Sequence, residues 1–394
     1  MEKLFTDFLG MAEEKKAAVG KLKPREQYGN YLEHIKTSNL FLGISGLRGV
    51  GKTTILLQMN RELGGFYFSV EHLVAKGISL YDFIKFCVSQ EIKTFFVDEV
   101  NVYPNWEREL KLVKDDFDVQ LVFSGSSTYA LQRGMAELAR RAKLVELKPL
   151  SFREYLNLAK GTDFSVVKLE EILDKKGRSE IIRKISPYAE YLEEYIRKGA
   201  LPVGIAEPQW KDAYLSILWR IIHVDLASLR SIDINYVFSI YKLLLFVASS
   251  KPAEVSYSKL SKSLMRHISV VEHIVEDLRR TGVMLRVMPC AAGHALIRKE
   301  PKIFLNLPFR SALVENPDVD AQREEFFVSQ VGEDICYLKE GEGRRSADYM
   351  IDGEIFEIGG LGKGKGQVRE GGHLVVDGLV FDERIPIHLF GFVR

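Results

Sequence analysis

The chain has 394 residues, of which 46% are hydrophobic and 28% are charged, and its formal net charge is +1. This length predicts roughly two to four domains with hydrophobic cores, and the balanced charge excludes nucleic-acid binding through overall charge alone. The three cysteines, Cys87, Cys290 and Cys336, lack metal-ligand spacing, which favours buried thiols in a reducing compartment. Residues 1–19 lack the apolar run of a signal peptide, and no stretch approaches the roughly 20 apolar residues of a membrane span. A cytoplasmic protein with no membrane partner is expected.

The first part of the chain, from about residue 39 to 155, alternates short apolar runs with longer amphipathic ones. Such alternation predicts an α/β fold with a parallel sheet that is covered by helices on both faces. Helices are expected at Lys52–Leu63 and Leu80–Ser89. The expected strands are Leu40–Ser45, Phe66–Val70, Thr94–Val97, Gln120–Ser124 and Lys143–Leu147.

A glycine-rich loop joins the first strand to the following helix. Its sequence predicts a phosphate-binding loop (P-loop), because the glycines let consecutive backbone N–H groups approach phosphates. Lys52 would neutralise the β- and γ-phosphates, and Thr53 would bind Mg²⁺ through its hydroxyl. The helix N-terminus would also face the anion. The residues of the predicted nucleotide site are Gly46, Leu47, Arg48, Gly49, Val50, Gly51, Lys52, Thr53 and Thr54.

Two carboxylates end the third strand, Phe95-Phe96-Val97-Asp98-Glu99. A charge at the end of a buried strand requires a metal or another partner. Asp98 is therefore predicted to act on the Mg²⁺ shell, and Glu99 to polarise the attacking water. No guanine-reading Asn-Lys-x-Asp motif occurs, which favours ATP and ADP as the bound nucleotides.

Two further groups near the sheet have open interpretations. Ser124, which begins Ser124-Gly125-Ser126-Ser127, would orient water near the γ-phosphate, or this segment would only cap the helix from Thr128. Arg140 and Arg141 precede the fifth strand and would supply transition-state charge as an arginine finger. They would otherwise be surface arginines at a helix end.

Several of these motifs together resemble archaeal and bacterial AAA-type ATPases of the STAND-related branch. That group carries Walker A and Walker B motifs, a C-terminal winged helix and a restriction-endonuclease-like domain. The resemblance rests on Gly46–Thr53, on Phe95–Glu99 and on Phe123–Ser127. It also rests on Leu138-Ala139-Arg140-Arg141 and on the phrase from Leu147 to Leu156.

The resemblance implies roles for residues outside the P-loop. Arg25, in Pro24-Arg25-Glu26-Gln27-Tyr28, would lie near the adenine. Pro202, in Gly199-Ala200-Leu201-Pro202, would belong to a helical lid and pack on the base. Arg140 or Arg141 becomes the expected arginine finger, and the doubled arginine leaves open which one acts.

The second half of the chain predicts different structures. Expected helices include Asn235–Ala248, Ser256–Leu264 and Val270–Thr281, and the last two with the run Val283–Met288 outline a winged helix-turn-helix. This segment has seven basic and four acidic side chains, so DNA contact or protein contact would fit. Arg279, Arg280 and Arg286 are the expected phosphate contacts.

The C-terminal segment predicts a small α/β domain with a helix and four strands. The helix is expected at Glu324–Gln330, and the strands at Ile335–Leu338, Ser346–Ile351, Glu354–Ile358 and Ile387–Val393. An endonuclease-like site would use Asp348, Glu357 and either Glu324 or Glu325 with Mg²⁺. The lysine that such a site needs two residues after the glutamate is replaced by Gly359, although Lys363 and Lys365 follow nearby.

The predicted organisation has four parts. They are an AAA-type P-loop core (1–155), a helical lid (156–235), a winged helix (236–300) and a restriction-endonuclease-like domain (301–394). The predicted function is ATP hydrolysis that couples nucleotide state to DNA or partner binding. Two alternatives stay open, namely a STAND-like switch that acts by association with a protein partner or a second copy, and an ATP-regulated nuclease.

Overall fold

The structure is a computed structural model that describes residues 1–229, 233–251, 255–291, 300–332, 335–338, 349–362 and 371–393. The chain divides into two units, Met1–Pro149 (unit 1) and Leu150–Arg394 (unit 2). Across these ranges, no helix has both the length and the apolar character needed to cross a membrane.

Unit 1 contains a five-stranded sheet in the order β2-β3-β4-β1-β5, and every neighbouring pair is parallel. The strand cores are almost continuously apolar and buried, as expected for a parallel sheet between helices. The predicted α/β fold with a parallel sheet is confirmed. The strands are β1 (Phe41–Ser45), β2 (Phe66–Ser69), β3 (Thr94–Asp98), β4 (Gln120–Ser124) and β5 (Ala142–Glu146).

The helices of unit 1 include the two that were predicted, with the same bounds. One apolar cluster packs helix residues such as Phe8, Phe83 and Leu110 against strand residues such as Phe68 and Phe95. The helices are α1 (Glu2–Val19), α2 (Tyr28–Thr37), α3 (Lys52–Leu63), α4 (Glu71–Lys76), α5 (Leu80–Ser89), α6 (Trp106–Asp116) and α7 (Thr128–Gly134), with a 3₁₀ turn at Val100–Val102.

Unit 2 has helices both before and between the strands of its sheet. Its helices are α8 (Phe152–Ala159), α9 (Leu169–Leu173), α10 (Lys175–Ile185), α11 (Tyr191–Glu194), α12 (Pro202–Ala206), α13 (Trp210–Arg220), α14 (Leu226–Leu229), α15 (Ile234–Ser249), α16 (Tyr257–Leu264), α17 (Ile268–Arg280), α18 (Phe309–Leu313) and α19 (Val319–Val331). A 3₁₀ turn (Ser186–Tyr188) and two π-helical turns, Tyr195–Gly199 and Ile221–Asp225, lie between them.

A seven-stranded sheet in the order β12-β11-β10-β9-β8-β6-β7 completes unit 2. The strand β6 pairs antiparallel with β7 and parallel with β8. The predicted boundary at residue 300 therefore lies between strands of one sheet. The strands are β6 (Met284–Pro289), β7 (Lys302–Leu305), β8 (Cys336–Tyr337), β9 (Tyr349–Ile351), β10 (Glu354–Gly359), β11 (His373–Val376) and β12 (Ile385–Pro386).

A buried ion pair connects several elements of unit 2. Arg310 on α18 donates two hydrogen bonds to the Glu325 carboxylate on α19, at 2.9 and 2.8 Å. The same guanidinium donates to the carbonyls of Ala248 and Ser250 at the end of α15. Burial raises the pKa of Glu325, and the Arg310 charge opposes that rise. Glu325 and Arg310 thus connect α18, α19 and the end of α15 inside unit 2.

The expectation of three free thiols is wrong for two of the cysteines. Cys290 and Cys336 form a disulfide, whereas Cys87 is free and buried. The parallel pairing of β6 with β8 explains the bond. Cys290 directly follows β6, and the pairing brings its Cα atom to 5.0 Å from that of Cys336 on β8. That register joins residues 46 positions apart and has no local sequence signal.

The C-terminal apolar run also differs from its prediction. Residues 387–393 were expected to form a strand, but Ile387–Phe392 form a 3₁₀ helix. All six residues are buried. A short run that is buried on every side fits a strand or a helix equally well, so its periodicity does not decide between them.

His388 in this 3₁₀ helix is expected to make unit 2 sensitive to acid. The side chain is 1% exposed, its Nε2 has no hydrogen-bond partner within the described ranges, and burial lowers its pKa to about 4. Because the unfolded chain binds this proton more readily than the folded chain, the free energy of unfolding decreases as the pH falls from about 6.5 towards about 4. The expected loss at pH 5 is about 2 kcal/mol.

Urea unfolding at pH 7 and pH 5 measures this effect. The His388→Phe variant should lose less stability on acidification than the wild type. The exposed His273→Gln variant, also in unit 2, should keep the wild-type pH dependence. Equal pH dependence in the wild type and His388→Phe would contradict the assignment.

Candidate functional site

The P-loop leaves the carboxyl end of β1 and enters α3. Gly46 has φ 144°, and a Cβ there would lie 2.4 Å from the Leu147 carbonyl oxygen. Gly51 has φ 102°, a left-handed conformation that favours glycine, and it is the N-cap of α3. These two positions explain why the loop needs glycine, and the resulting turn directs the N-terminus of α3 into the site.

Lys52 is bound to the loop in this structure. Its Nζ donates to the carbonyls of Gly46 at 2.8 Å and Leu47 at 3.2 Å, and the side chain is 6% exposed. Arg25 is also 6% exposed, and it donates to the carbonyls of Val50 at 2.7 Å and Lys148 at 2.9 Å. Arg25 therefore supports the P-loop backbone. Its predicted role near the adenine stays a prediction.

Asp98, at the carboxyl end of β3, accepts hydrogen bonds from three hydroxyl groups. Thr53 and Tyr67 donate to its Oδ2, at 2.8 and 2.9 Å, and Ser124 donates to its Oδ1. The donors come from α3, β2 and β4. The fold thus brings the predicted residues Thr53, Asp98 and Ser124 together, and it adds Tyr67, which the sequence analysis missed.

Tyr67 contacts Asp98 from the edge strand of the sheet. The side chain is 4% exposed. Burial, and then the charge of Asp98, raise the pKa of Tyr67, so the hydroxyl stays protonated and can only donate to the carboxylate. Tyr67 lies between Phe66 and Phe68 in an apolar strand, so no sequence signal distinguished it from a core aromatic residue.

Glu99, which follows Asp98 in the chain, has a left-handed backbone conformation with φ 57°. A non-glycine residue in this region costs about 1 kcal/mol, and such strain is concentrated at functional sites. Its carboxylate accepts from the Ser126 hydroxyl at 2.9 Å and lies 3.8 Å from the Arg48 guanidinium. The predicted residues Arg48 and Glu99 therefore meet at the P-loop, where Ser126 holds the carboxylate.

The residues fit the binding of Mg²⁺ with a nucleotide. The Thr53 hydroxyl and the Asp98 carboxylate present hard oxygen donors 2.8 Å apart beside the phosphate loop. Mg²⁺ usually combines one or two such protein ligands with substrate phosphates and water. Thr53 and Asp98 would hold the ion.

The segment from Ser124 to Ser127 contacts the two carboxylates and also caps α7. Ser124 and Ser126 donate to Asp98 and Glu99, respectively. Ser127 caps α7 by accepting from the Ala130 N–H at 3.2 Å. The capping interpretation is confirmed for Ser127, and a catalytic role of Ser124 stays a prediction. Thr54 lies in the first turn of α3.

Arg140 and Arg141 precede β5 and lie at the amino ends of the strands, whereas the P-loop lies at the carboxyl ends. Ala142 pairs with Phe41 at the start of β1, whereas Glu146 pairs with Ser45 beside the P-loop. The four steps between them span about 13 Å. Arg141 forms two hydrogen bonds with Asp115, and Arg140 is exposed. An arginine-finger role would therefore act on the P-loop of a second copy.

The predicted lid residue Pro202 lies in unit 2, at the start of α12. The preceding segment packs within that unit, where Leu150 donates to the Ala200 carbonyl at 2.8 Å. Tyr195 donates to the carbonyl of Leu150 at 2.6 Å. A contact between Pro202 and the nucleotide base stays a prediction.

Three arginines in unit 2 surround one carboxylate. Arg279, Arg280 and Arg286 all donate to Glu276, at distances of 2.7 to 3.2 Å. The hydrogen bond from Arg279, with that from Arg280, lowers the pKa of Glu276 to about 2. The carboxylate is thus ionised at neutral pH and offsets one of the three positive charges.

The predicted endonuclease carboxylates are separated in the described part of unit 2. Glu325 pairs with Arg310, and Glu324 accepts from Tyr349 and Lys302. Tyr349 pairs with Phe356 in the sheet, so Glu357 projects from the other face. The remaining predicted residues, Asp348, Lys363 and Lys365, lie outside the described ranges.

The parallel sheet, the glycine loop between β1 and α3 and the acidic end of β3 together define a P-loop nucleotide-binding unit. Sequence comparison extends this assignment. A family model described as an AAA domain matches residues 38–156. These findings support an AAA-type P-loop domain in this part of the chain.

Two proteins with similar sequences cover much of the chain. Uncharacterized protein MJ1637 of Methanocaldococcus jannaschii is 29% identical over 339 residues, which cover 79% of this chain and 68% of that protein. An uncharacterized protein of Haemophilus influenzae is 26% identical over 258 residues, covering 61% of this chain and 59% of that protein. The chain thus spans less than two thirds of the Haemophilus protein.

Solved structures show weaker similarity. The Walker-type ATPase PABY2304 of Pyrococcus abyssi has 14% identity and a TM-score of 0.46, with coverage of 74% of this chain and 96% of that chain. AMPPCP-bound DnaA from Aquifex aeolicus has 14% identity and a TM-score of 0.28, with coverage of 64% and 86%. Because both scores are below 0.5, neither structure defines the fold of this chain.

Proposed function

We propose that this protein binds Mg-ATP, hydrolyses the γ-phosphate and uses its nucleotide state to control binding of DNA or a partner. The hydrogen bond between Thr53 and Asp98 carries the proposal, with Glu99 as the next residue. This contact supports Thr53 and Asp98 as the pair that would bind the metal beside the P-loop, and Glu99 as the base that would follow them. This is the combination that phosphoryl transfer to water requires.

Each residue would perform a defined step. Lys52 would leave the carbonyls of Gly46 and Leu47 and donate to the phosphates, together with the N–H groups of the loop. Glu99 would leave Ser126 and orient the attacking water. Bound Mg²⁺ would offset charge on the β- and γ-phosphates. Arg140 or Arg141 of a second copy would stabilise charge in the transition state.

The C-terminal segments would transmit the nucleotide state. We propose that 156–235 acts as a lid, that 236–300 acts as a winged helix and that 301–394 acts as an endonuclease-like module without nuclease activity. The succession of α16, α17 and the antiparallel pair β6–β7 supports the winged helix, and the pairing extends this module past residue 300 to the end of β7. The separation of Glu324 and Glu325 from the face of Glu357 weighs against a nuclease.

The Arg279–Arg280–Arg286 cluster is the proposed phosphate contact on DNA. We expect Arg280→Ala to weaken DNA binding and to reduce its salt dependence, because each phosphate contact releases counterions. Glu276→Gln should strengthen binding, since it removes the negative charge between the arginines. The measurement is DNA affinity at about 50 and about 200 mM salt.

Steady-state ATP hydrolysis with and without duplex and single-stranded DNA tests the coupling. DNA stimulation that Arg280→Ala reduces would support the proposal, and a rate that no DNA changes would contradict the DNA arm.

A switch that acts by association is the second candidate. The position of Arg140 and Arg141 favours it, because these arginines would need the P-loop of a second copy. The hydrogen bond from Ser126 to Glu99 also favours it, because it holds the proposed base and would slow turnover. Light scattering with ATP and with ADP tests it. An increase in mass with ATP and slow turnover would support the switch. An unchanged mass with fast turnover would contradict it.

A further inference from the structure

The carboxylate of Asp98 is held by more hydroxyl groups than the proposed chemistry uses. Thr53 and Asp98 would bind Mg²⁺, and Ser124 ends the neighbouring strand. The third donor, Tyr67, has no role in that mechanism, although its hydroxyl lies 2.9 Å from Asp98 Oδ2. This contact needs an explanation of its own.

The edge strand β2 directs Tyr67 to this position. Phe66 and Phe68 lie on the other side of the strand, where both rings contact Phe83 at an angle. Tyr67 pairs with Phe96 on β3, and its long side chain extends along the sheet to Asp98. A phenylalanine would fill the same apolar space, so packing alone does not require the hydroxyl.

We infer that Tyr67 is a positioning residue that orients the Asp98 carboxylate for the divalent cation bound with the nucleotide. This inference rests on the proposed function. Oδ2 is held by Thr53 and Tyr67, and Oδ1 is held by Ser124, so rotation of the carboxylate breaks a hydrogen bond on either side. Replacing a residue that holds a metal-binding side chain by a hydrogen bond typically lowers metal affinity or activity on the order of 10- to 100-fold.

The Tyr67 hydroxyl is the donor that the cation itself would not engage. Thr53 would turn its oxygen to the Mg²⁺ ion, and its proton would still be directed to Asp98. Tyr67 approaches Oδ2 from β2, away from the P-loop, and its burial excludes water as a replacement donor. Removing its hydroxyl would therefore affect binding that depends on Mg²⁺ and leave the phosphate contacts of the P-loop intact.

The test compares full-length wild type with Tyr67→Phe. Binding of a fluorescent ADP analogue is titrated in Mg²⁺ and in EDTA, and the Mg²⁺ concentration for half-maximal ATP hydrolysis is measured. We expect unchanged ADP affinity in EDTA and an Mg²⁺ requirement about tenfold higher. Tyr81→Phe is the matched control, because it removes a hydroxyl that donates to the exposed Asp116 at 2.6 Å.

A second variant shows whether Tyr67 acts through Asp98. The Mg²⁺ dependence of Asp98→Asn should not change further when Tyr67→Phe is added, since the two residues share one pathway. An equal loss of ADP affinity with and without Mg²⁺ would overturn the inference, as would an unchanged Mg²⁺ requirement. Both results leave the proposed function standing if the wild type binds nucleotide with Mg²⁺. A wild type without Mg²⁺-dependent binding would overturn the proposed function and the inference together.

Discussion

Replacing Glu99 by glutamine is expected to lower steady-state ATP hydrolysis by about 10²- to 10⁴-fold while ATP binding persists, because a positioned general base contributes by this order. Glutamine keeps the size of the side chain and can still bond to Ser126, but it cannot accept a proton from water. The variant keeps Lys52, the proposed phosphate contact, and Thr53 and Asp98, the proposed metal ligands. Hydrolysis and binding should therefore separate in this variant.

Phosphate release and equilibrium binding of labelled ATP are the two measurements for Glu99→Gln. Glu13→Gln is a suitable control, because Glu13 is an exposed residue of α1 that pairs only with Lys16 among the contacts described. It should retain wild-type turnover. Wild-type turnover in Glu99→Gln would show that Glu99 is not the base, and simultaneous loss of binding would assign it to nucleotide binding.

The second large effect is expected from the buried pair of Arg310 and Glu325, which are 2% and 0% exposed. Arg310→Ala or Glu325→Ala should each reduce the free energy of unfolding of unit 2 by about 3–5 kcal/mol, since each leaves one buried charge without its partner. Arg310→Ala also removes the donors to the carbonyls of Ala248 and Ser250. Replacing both residues, as Arg310→Met with Glu325→Leu, should cost much less.

Urea unfolding measures the effect of the ion pair, with tryptophan fluorescence from Trp210 and Trp219 in unit 2 as one signal. Arg384→Ala is the control, because Arg384 pairs with the half-exposed Asp382 and the loss of a surface ion pair should change stability little. Small effects of both single replacements would contradict the assignment. A double replacement as harmful as the singles would show that packing, not the unpaired charge, dominates.

The sequence was sufficient to predict the strand–loop–helix arrangement of the P-loop and its position beside Asp98, because these signals are local. The P-loop pattern, the apolar strand that ends at Asp98 and the alternation of strands with helices each lie within a short segment. The structure places Thr53 and Asp98 in contact as the order of these motifs suggested. Helix bounds such as Lys52–Leu63 were also accessible, since a glycine cap precedes an amphipathic run.

Contacts set by the register of distant strands could not be predicted in this way. Tyr67 reaches Asp98 because β2 pairs with β3, and Cys290 meets Cys336 because β6 pairs with β8. Glu325 was a candidate nuclease carboxylate until its pairing with Arg310 was visible. In each case the amino-acid sequence shows which residue types are present, and only the tertiary structure shows which residues they contact.

Phosphate release by the purified wild-type protein measures directly whether the P-loop unit hydrolyses ATP with Mg²⁺. We expect steady release that saturates with ATP, requires Mg²⁺ and stops in EDTA. A folded protein that releases no phosphate from ATP at any Mg²⁺ concentration would contradict this expectation.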